Sequence, residues 1–190
     1  MINRIKQRIE SSLKVKEALL QNEALLREIE KSVEICVEAL NADKKLLFAG
    51  NGGSAADAQH LAAEFSGRFY KDRTPLYAEA LHVNSSYLTA VANDYSFDEV
   101  YSRMIIAKGR PGDVFIGIST SGNSKNIIKA IEAAKKQGMY VIGMTGESGG
   151  RMKELCDILL NMPSSDTPRI QEAHILVGHI ICEFVEEKLF

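Results

Sequence analysis

The segment richest in chemistry is Ser119-Thr120-Ser121-Gly122-Asn123-Ser124, where four hydroxyls and one amide surround a glycine in six consecutive positions. It lies where the apolar run 114–119 gives way to a helical pattern, so its donors gather at the positive end of a helix and suit a phosphate. A capped turn would account for Asn123 or Ser124, but not for four hydroxyls. Two further runs close in small polar residues, Gly50-Asn51-Gly52-Gly53-Ser54 and Thr145-Gly146-Glu147-Ser148-Gly149-Gly150. The chain lacks G-x-x-x-x-G-K-[ST], so the phosphate belongs to a substrate that is held rather than to a nucleotide that is cleaved. With Ala55, the first loop also fits the dinucleotide pattern G-x-G-x-x-[GA]. The acid that pattern needs about 20 residues on would be Asp72, in the loop-like Tyr70-Lys71-Asp72-Arg73-Thr74-Pro75 rather than at a strand end. A dehydrogenase is therefore disfavoured.

Histidines and carboxylates supply a second kind of chemistry. His60 and Glu64, four apart, leave one face of a helix together and can bind a metal or orient a base. The last helical stretch adds Gln171, Glu172, His174 and His179. Gln171 and His179, eight apart, point within about 80° of each other, so one pocket can see both. Two imidazoles, a carboxylate and an amide can hold Zn²⁺ with an open position, although glutamine is an uncommon zinc ligand and H-E-x-x-H regularity is missing. His82 and His174 have no comparable partner and read as structural.

The scaffold that must position these groups is an alternation of strand and helix. Apolar runs at 46–50, 114–119, 140–145 and 157–161 are the predicted strands. Between the second and third, Asn123 or Ser124 caps a helix. Ile127, Ile128, Ile131 and Ala134 share one face of it, Lys135 and Lys136 fill its last turn, and Gly138 ends it. This is a βαβ crossover. The fold class is α/β, a parallel sheet flanked by helices on both faces, with ligands expected beyond the carboxyl ends of the strands. Residues 2–41 contain no Gly or Pro and read as two helices, and residues 170–190 as one long helix. The stripe Ile5, Ile9, Leu13 is too thin to bury itself and is expected to pack on another subunit.

Composition sets the outer bounds. A chain of 190 residues with 23 Lys+Arg against 25 Asp+Glu is one domain, 1–190, without the basic excess that nucleic acid or anionic membrane requires. At this length roughly 70% of the unfolded surface is buried, so the core needs no metal or disulfide. Cys36, Cys156 and Cys182 are odd in number and unpaired in sequence, and are expected as buried thiols in a reducing compartment. No apolar run approaches the ~18 residues of a membrane span, and the charged opening MINRIKQRIE is unlike a signal peptide. A cytoplasmic protein is expected.

With AGNGGSAADAQHLAAEFSGRF, Val91-Ala92-Asn93-Asp94, GDVFIGISTSGNS, TGESGG and RIQEAHILVGHI in place, nearly the whole chain resembles the phosphoheptose isomerase family of the sugar-isomerase (SIS) fold. The resemblance implies conversion of sedoheptulose 7-phosphate to D-glycero-D-manno-heptose 7-phosphate through an enediol, for the heptose of lipopolysaccharide or related surface glycans. It also implies a homotetramer with active sites at subunit interfaces. Carried over, phosphate contacts fall on Ser119, Thr120, Ser121 and Ser124, and the sugar site on Asn51, Gly52, Gly53, Ser54, Asn93, Asp94, Glu64 and Gln171. One Zn²⁺ per subunit falls to His60, Glu64, Gln171 and His179. Glu64 becomes the base acting on carbon and His179 its acid–base partner. The loop Pro163-Ser164-Ser165-Asp166-Thr167-Pro168-Arg169 lacks an aromatic residue that some members carry, and Asp166 or Thr167 is read there as a helix cap. The alternatives are an SIS isomerase for another sugar phosphate and the non-enzymatic SIS relative that binds the replication initiator. The latter resembles a member without the counterparts of Glu64 and His179.

Overall fold

A computed structural model describes all 190 residues. Five parallel strands form one sheet in the order β2-β1-β3-β4-β5: β1 Leu46–Gly50, β2 Ala78–Ala80, β3 Val114–Ile118, β4 Tyr140–Thr145 and β5 Ile158–Asn161. Parallel neighbours need crossovers, and helices on both faces supply them. Along β1 the side chains alternate between two buried layers. Leu46 and Phe48 join the layer of α1 (Ile2–Leu20), α2 (Glu23–Asn41), α3 (Gly53–Ser66) and α7 (Thr167–Leu189). Leu47 and Ala49 join that of α4 (Ser85–Asp94), α5 (Val100–Lys108) and α6 (Lys125–Lys136). A strand covered on both faces must read as a continuous apolar run, which is why β1 and β3 are legible in sequence.

The chain leaves β1 for β2 on one side and returns to β3 on the other. The strand order therefore reverses between β1 and β3, the position at which open α/β sheets leave a crevice. Gly50 pairs in register with Ile118, so the loops after these strands start side by side.

The two predicted N-terminal helices are α1 and α2, and the predicted final helix begins three residues earlier than its apolar pattern, at Thr167. Three elements, β2, α4 and α5, lie where no periodicity was read. The predicted caps need correction. Ser124 and Asp166 occupy the N-cap positions of α6 and α7, but neither side chain makes a capping bond. The Asn123 amide instead donates to the Ser121 carbonyl at 2.9 Å, and its oxygen accepts from the Arg151 N–H at 3.1 Å. The capping capacity is spent on tying loops together. No helix is long and apolar enough to cross a membrane.

Candidate active site

The hydroxyl loop after β3 folds onto itself and onto the loop after β4. The Gly122 N–H donates to the Ser119 carbonyl at 2.9 Å, and the Gly146 N–H to the Thr120 carbonyl at 2.9 Å. Gly122 holds φ +65°, and a Cβ there would lie 2.2 Å from the Gly149 carbonyl oxygen, so the two loops approach this closely only because the position is glycine. The Ser119 hydroxyl lies 2.9 Å from that of Ser124 and 3.5 Å from that of Ser121. Beside them opens a cleft of about 320 Å³ lined by Thr120, Ser121, Asn123, Gly146, Glu147, Ser148, Ser164, Ser165, Thr167 and Ile170. No Lys or Arg lines it. An anion there would be met by hydroxyls, with the N-termini of α6 and α7 opening alongside. Ser164, Ser165 and Thr167 bring the loop before α7 into this cleft, where sequence reading gave Thr167 a cap.

Of the first loop, Asn51 exchanges side-chain hydrogen bonds with Asn126 at 2.9 Å in both directions, which fastens the loop to the start of α6. Ser54 is buried. Gly53 meets α7: a Cβ there would lie 2.5 Å from the Gln171 amide nitrogen, so this glycine lets Gln171 lie against the amino end of α3.

Further along the same two helices, His60, Glu64 and His179 come together, with one ligand atom of each within 4.8 Å of the others. The facing Nε2 atoms of His60 and His179 are 2.9 Å apart, so one ring carries the proton and the other accepts it, and His60 Nε2 is 3.3 Å from Glu64 Oε1. The His60 side chain is 50% exposed and that of Glu64 22%, so the cluster opens outward. Its position corrects the expectation that all the chemistry lies beyond the strand ends. His60 is the eighth residue of α3, about 10 Å along the axis from Gly53, because α3 runs back beside the sheet. Gln171, eight residues before His179 on α7, is correspondingly displaced towards the strand ends.

The donor set fits a Zn²⁺ ion. Bonds of about 2.0–2.2 Å to imidazole and carboxylate in a tetrahedron place neighbouring ligand atoms about 3.3 Å apart. The 2.9 and 3.3 Å separations are close to this, and the third pair lies within 4.8 Å.

Two features, Asp57 and Glu186, escaped the sequence reading. Asp57, one turn before His60, is half-buried with Oδ2 unpartnered; burial pushes its carboxyl up, partly offset by His60. Its i,i+3 spacing from His60 was the available signal. Asn93 and Asp94 sit exposed at the end of α4, the Asn93 amide donating to Asp94 Oδ1 at 2.9 Å. His174, read as structural, is fully buried with Nε2 3.1 Å from the Thr145 carbonyl, and burial holds its pKa down to about 4. Glu186 is buried against Arg73; burial raises its carboxyl, but three backbone N–H groups and the guanidinium outweigh that and leave it below the usual range. Of the thiols, Cys36 and Cys182 are buried and Cys156 only partly so, and all three are free.

A parallel sheet reversing between β1 and β3, with a hydroxyl-lined cleft at its carboxyl edge, fits a domain of the SIS class, and the SIS domain model matches residues 10–146. The phosphoheptose isomerase of Aneurinibacillus thermoaerophilus is 54% identical over 98% of this chain and 94% of that protein. The phosphoheptose isomerase structure from Neisseria gonorrhoeae superposes with a TM-score of 0.92 at 42% identity, over 97% of this chain and 98% of that one. The structure from Francisella tularensis gives 0.94 at 34% identity, over 98% of both. The chain belongs to the phosphoheptose isomerase family.

Proposed function

We infer that the protein interconverts sedoheptulose 7-phosphate and D-glycero-D-manno-heptose 7-phosphate as a step in heptose biosynthesis. The observation that carries the reading is the convergence of His60, Glu64 and His179 on two helices, α3 and α7, of which α7 begins at the hydroxyl cleft and α3 at the neighbouring strand end. On this reading the phosphate sits at the hydroxyl cleft and C1 and C2 lie beside the cluster.

In the ketose-to-aldose direction Glu64 takes a proton from C1 and returns it to C2 of the resulting enediol, while His179 carries a proton from O1 to O2. The carbonyl moves from C2 to C1 with atoms and electrons balanced. His60, 2.9 Å from His179, fixes which ring nitrogen of its neighbour carries the proton. Ser119, Thr120, Ser121 and Ser124 hold the phosphate, and Asn51, Gly52, Gly53, Ser54, Asn93, Asp94 and Gln171 line the sugar. Zn²⁺ held by His60, Glu64 and His179 would supply positive charge to the sugar oxygens, and Gln171, whose amide lies against Gly53 about 12 Å back along α7, would have to swing towards the cluster to join them. A group that ligates the ion is a poorer proton carrier, so ligation and proton transfer belong to different states of the site.

The protein acts as a homotetramer with interfacial active sites. In support, Ile2, Ile5, Ile9 and Leu13 are each more than half exposed along α1. They adjoin a groove of about 820 Å³ running to Arg169 and Glu172, a face of the kind a second copy covers. Exposed Asn93 and Asp94 are free to complete a neighbour's site. The free cysteines support a cytoplasmic setting.

Turnover of sedoheptulose 7-phosphate, assayed before and after chelator treatment and with zinc restored, tests the reading. Activity lost and recovered supports isomerase and metal together. Activity indifferent to chelator keeps the isomerase and removes the metal. No turnover returns the domain to another sugar phosphate or to a binding role, for which a proton-carrying pair has no use.

A further inference from the structure

Glu186 lies on α7 seven residues beyond His179, two turns further along. Its carboxylate accepts hydrogen bonds from three successive backbone N–H groups, Phe69 at 3.1 Å, Tyr70 at 2.7 Å and Lys71 at 2.7 Å, and from Arg73 Nε at 2.9 Å. Consecutive N–H groups converging in this way form a nest of the kind that binds free anions, here filled by the protein's own side chain.

Arg73 spends its other donors on the end of α3. Its Nη1 donates to the carbonyls of Phe65 at 2.8 Å and Gly67 at 3.2 Å, and its Nη2 to the carbonyl of Glu64 at 2.9 Å. Carbonyls in a helix's last turn have no partner within the helix and carry its negative end, so a guanidinium there both satisfies and neutralises them. Arg73 and Glu186 side chains are each 3% exposed, which keeps water from competing. The segment they hold also touches the cluster directly, with the Phe69 ring centroid 5.7 Å from that of His179. The backbone beneath Glu64, the flank of His179 and the two helices that carry them are thus joined through one ion pair.

We propose that Arg73 and Glu186 are positioning residues, a clamp that holds Glu64 and His179 at their reacting separation and so governs kcat rather than substrate binding. The activity arm of the test rests on the isomerase reading; a second arm does not. A built-in control exists in Asp113, the other buried carboxylate with a cationic partner. Just before β3, it pairs with Lys45 at 2.6 Å and accepts from the Lys45 N–H just before β1, at the opposite end of the sheet from the hydroxyl cleft. Asn at 113 keeps one accepting oxygen.

Steady-state kinetics, thermal unfolding and ring ¹⁵N shifts of His60 and His179 are measured for wild type, Glu186→Gln, Arg73→Lys, Phe69→Leu and Asp113→Asn. Displacing a catalytic group by an ångström costs up to about 100-fold, so Glu186→Gln is expected to lower kcat about 10- to 100-fold with KM within about twofold. Arg73→Lys keeps the charge but not the fan of carbonyl contacts, and is expected to lose about tenfold; Phe69→Leu, about threefold. Asp113→Asn should lower the melting temperature and leave kcat at the wild-type value. If Glu186→Gln does not fold, Arg73→Lys and Phe69→Leu decide by the same KM-against-kcat split. Wild-type kcat in these variants despite a lowered melting temperature, or a raised KM with kcat intact, overturns the clamp. If wild type itself does not turn over sedoheptulose 7-phosphate, the isomerase reading fails and the ring shifts decide. Shifts that move in Glu186→Gln and Phe69→Leu but not in Asp113→Asn sustain the clamp, and unmoved shifts overturn it.

Discussion

The hydroxyl cleft and the imidazole–carboxylate cluster are built in opposite ways. The cleft is made of loop backbone at the strand ends, where glycines permit close approach and the hydroxyls already contact one another. The cluster is made of side chains projecting from two packed helices, partway along α3, half-exposed and facing each other. On the proposed function, the first arrangement holds the phosphate, a charged group that is the same throughout the reaction. The second can change protonation state and shift by fractions of an ångström. The proposed function thus gives binding and chemistry to different elements, and variants in the two regions should separate KM from kcat.

The sharpest break of that comparison is Glu64→Gln, with His179→Gln beside it. General acid–base catalysis is worth about 10²- to 10⁴-fold, and each variant is expected to lose about 10³-fold or more in kcat while KM changes little and the elution volume on gel filtration stays put. Near wild-type turnover in either would remove the proton-transfer roles assigned here.

His174 joins the two regions, since it stands on α7 between Gln171 and His179 and bonds the Thr145 carbonyl that opens the loop after β4. Its pKa is about 4 in the folded protein against 6.5 unfolded, with burial the larger cause and the carbonyl bond opposing it. Between those values the unfolded chain takes up a proton that the native state does not. Stability is therefore complete above pH 6.5 and falls as the pH drops towards 4, by about 3 kcal/mol in all. Denaturant unfolding across that range should show a steeper loss in wild type than in His174→Gln. The protonation of Glu186 contributes to both proteins and cancels in the comparison. Parallel curves would mean that His174 is not held neutral.

On the cleft side, Gly122→Ala forces a side chain into φ +65° and against the Gly149 carbonyl. The backbone penalty alone is about 1–2 kcal/mol, so KM should rise by roughly tenfold or more with kcat within a few-fold. A fall in kcat without a change in KM would show that the loop serves the cluster instead.

Much of this division was legible in the sequence, for physical reasons that also explain the gaps. β1, β3 and β4 stand out because burial on both faces demands unbroken apolar runs. β2 is three residues, Ala78-Glu79-Ala80, on the sheet edge with a lysine partner for its acid, so it carries no run. Five of the nine residues of α5 are buried on several sides, which erases a stripe. His60 and Glu64 were paired by helix spacing alone. That His179 meets them depends on how α7 packs on α3, and the Arg73–Glu186 contact spans 113 positions, beyond the reach of any local pattern.

The smallest effect is the most discriminating for the cleft. Ser121 lines it, lies 3.5 Å from the Ser119 hydroxyl, and its oxygen accepts from the Asn123 N–H at 3.2 Å. That leaves its proton free to be donated to a phosphate. One neutral hydrogen bond is worth about 1 kcal/mol and a charge-assisted one up to about 3, so Ser121→Ala should raise KM about fivefold and at most about 100-fold, with kcat unchanged. Because the removed oxygen also fastens the loop backbone, Ser121→Cys serves as the companion: it keeps the bulk and offers only a weak donor, and should fall nearer to alanine than to wild type. If KM is unmoved in both, the phosphate is not bound by this hydroxyl and the cleft loses its assigned role.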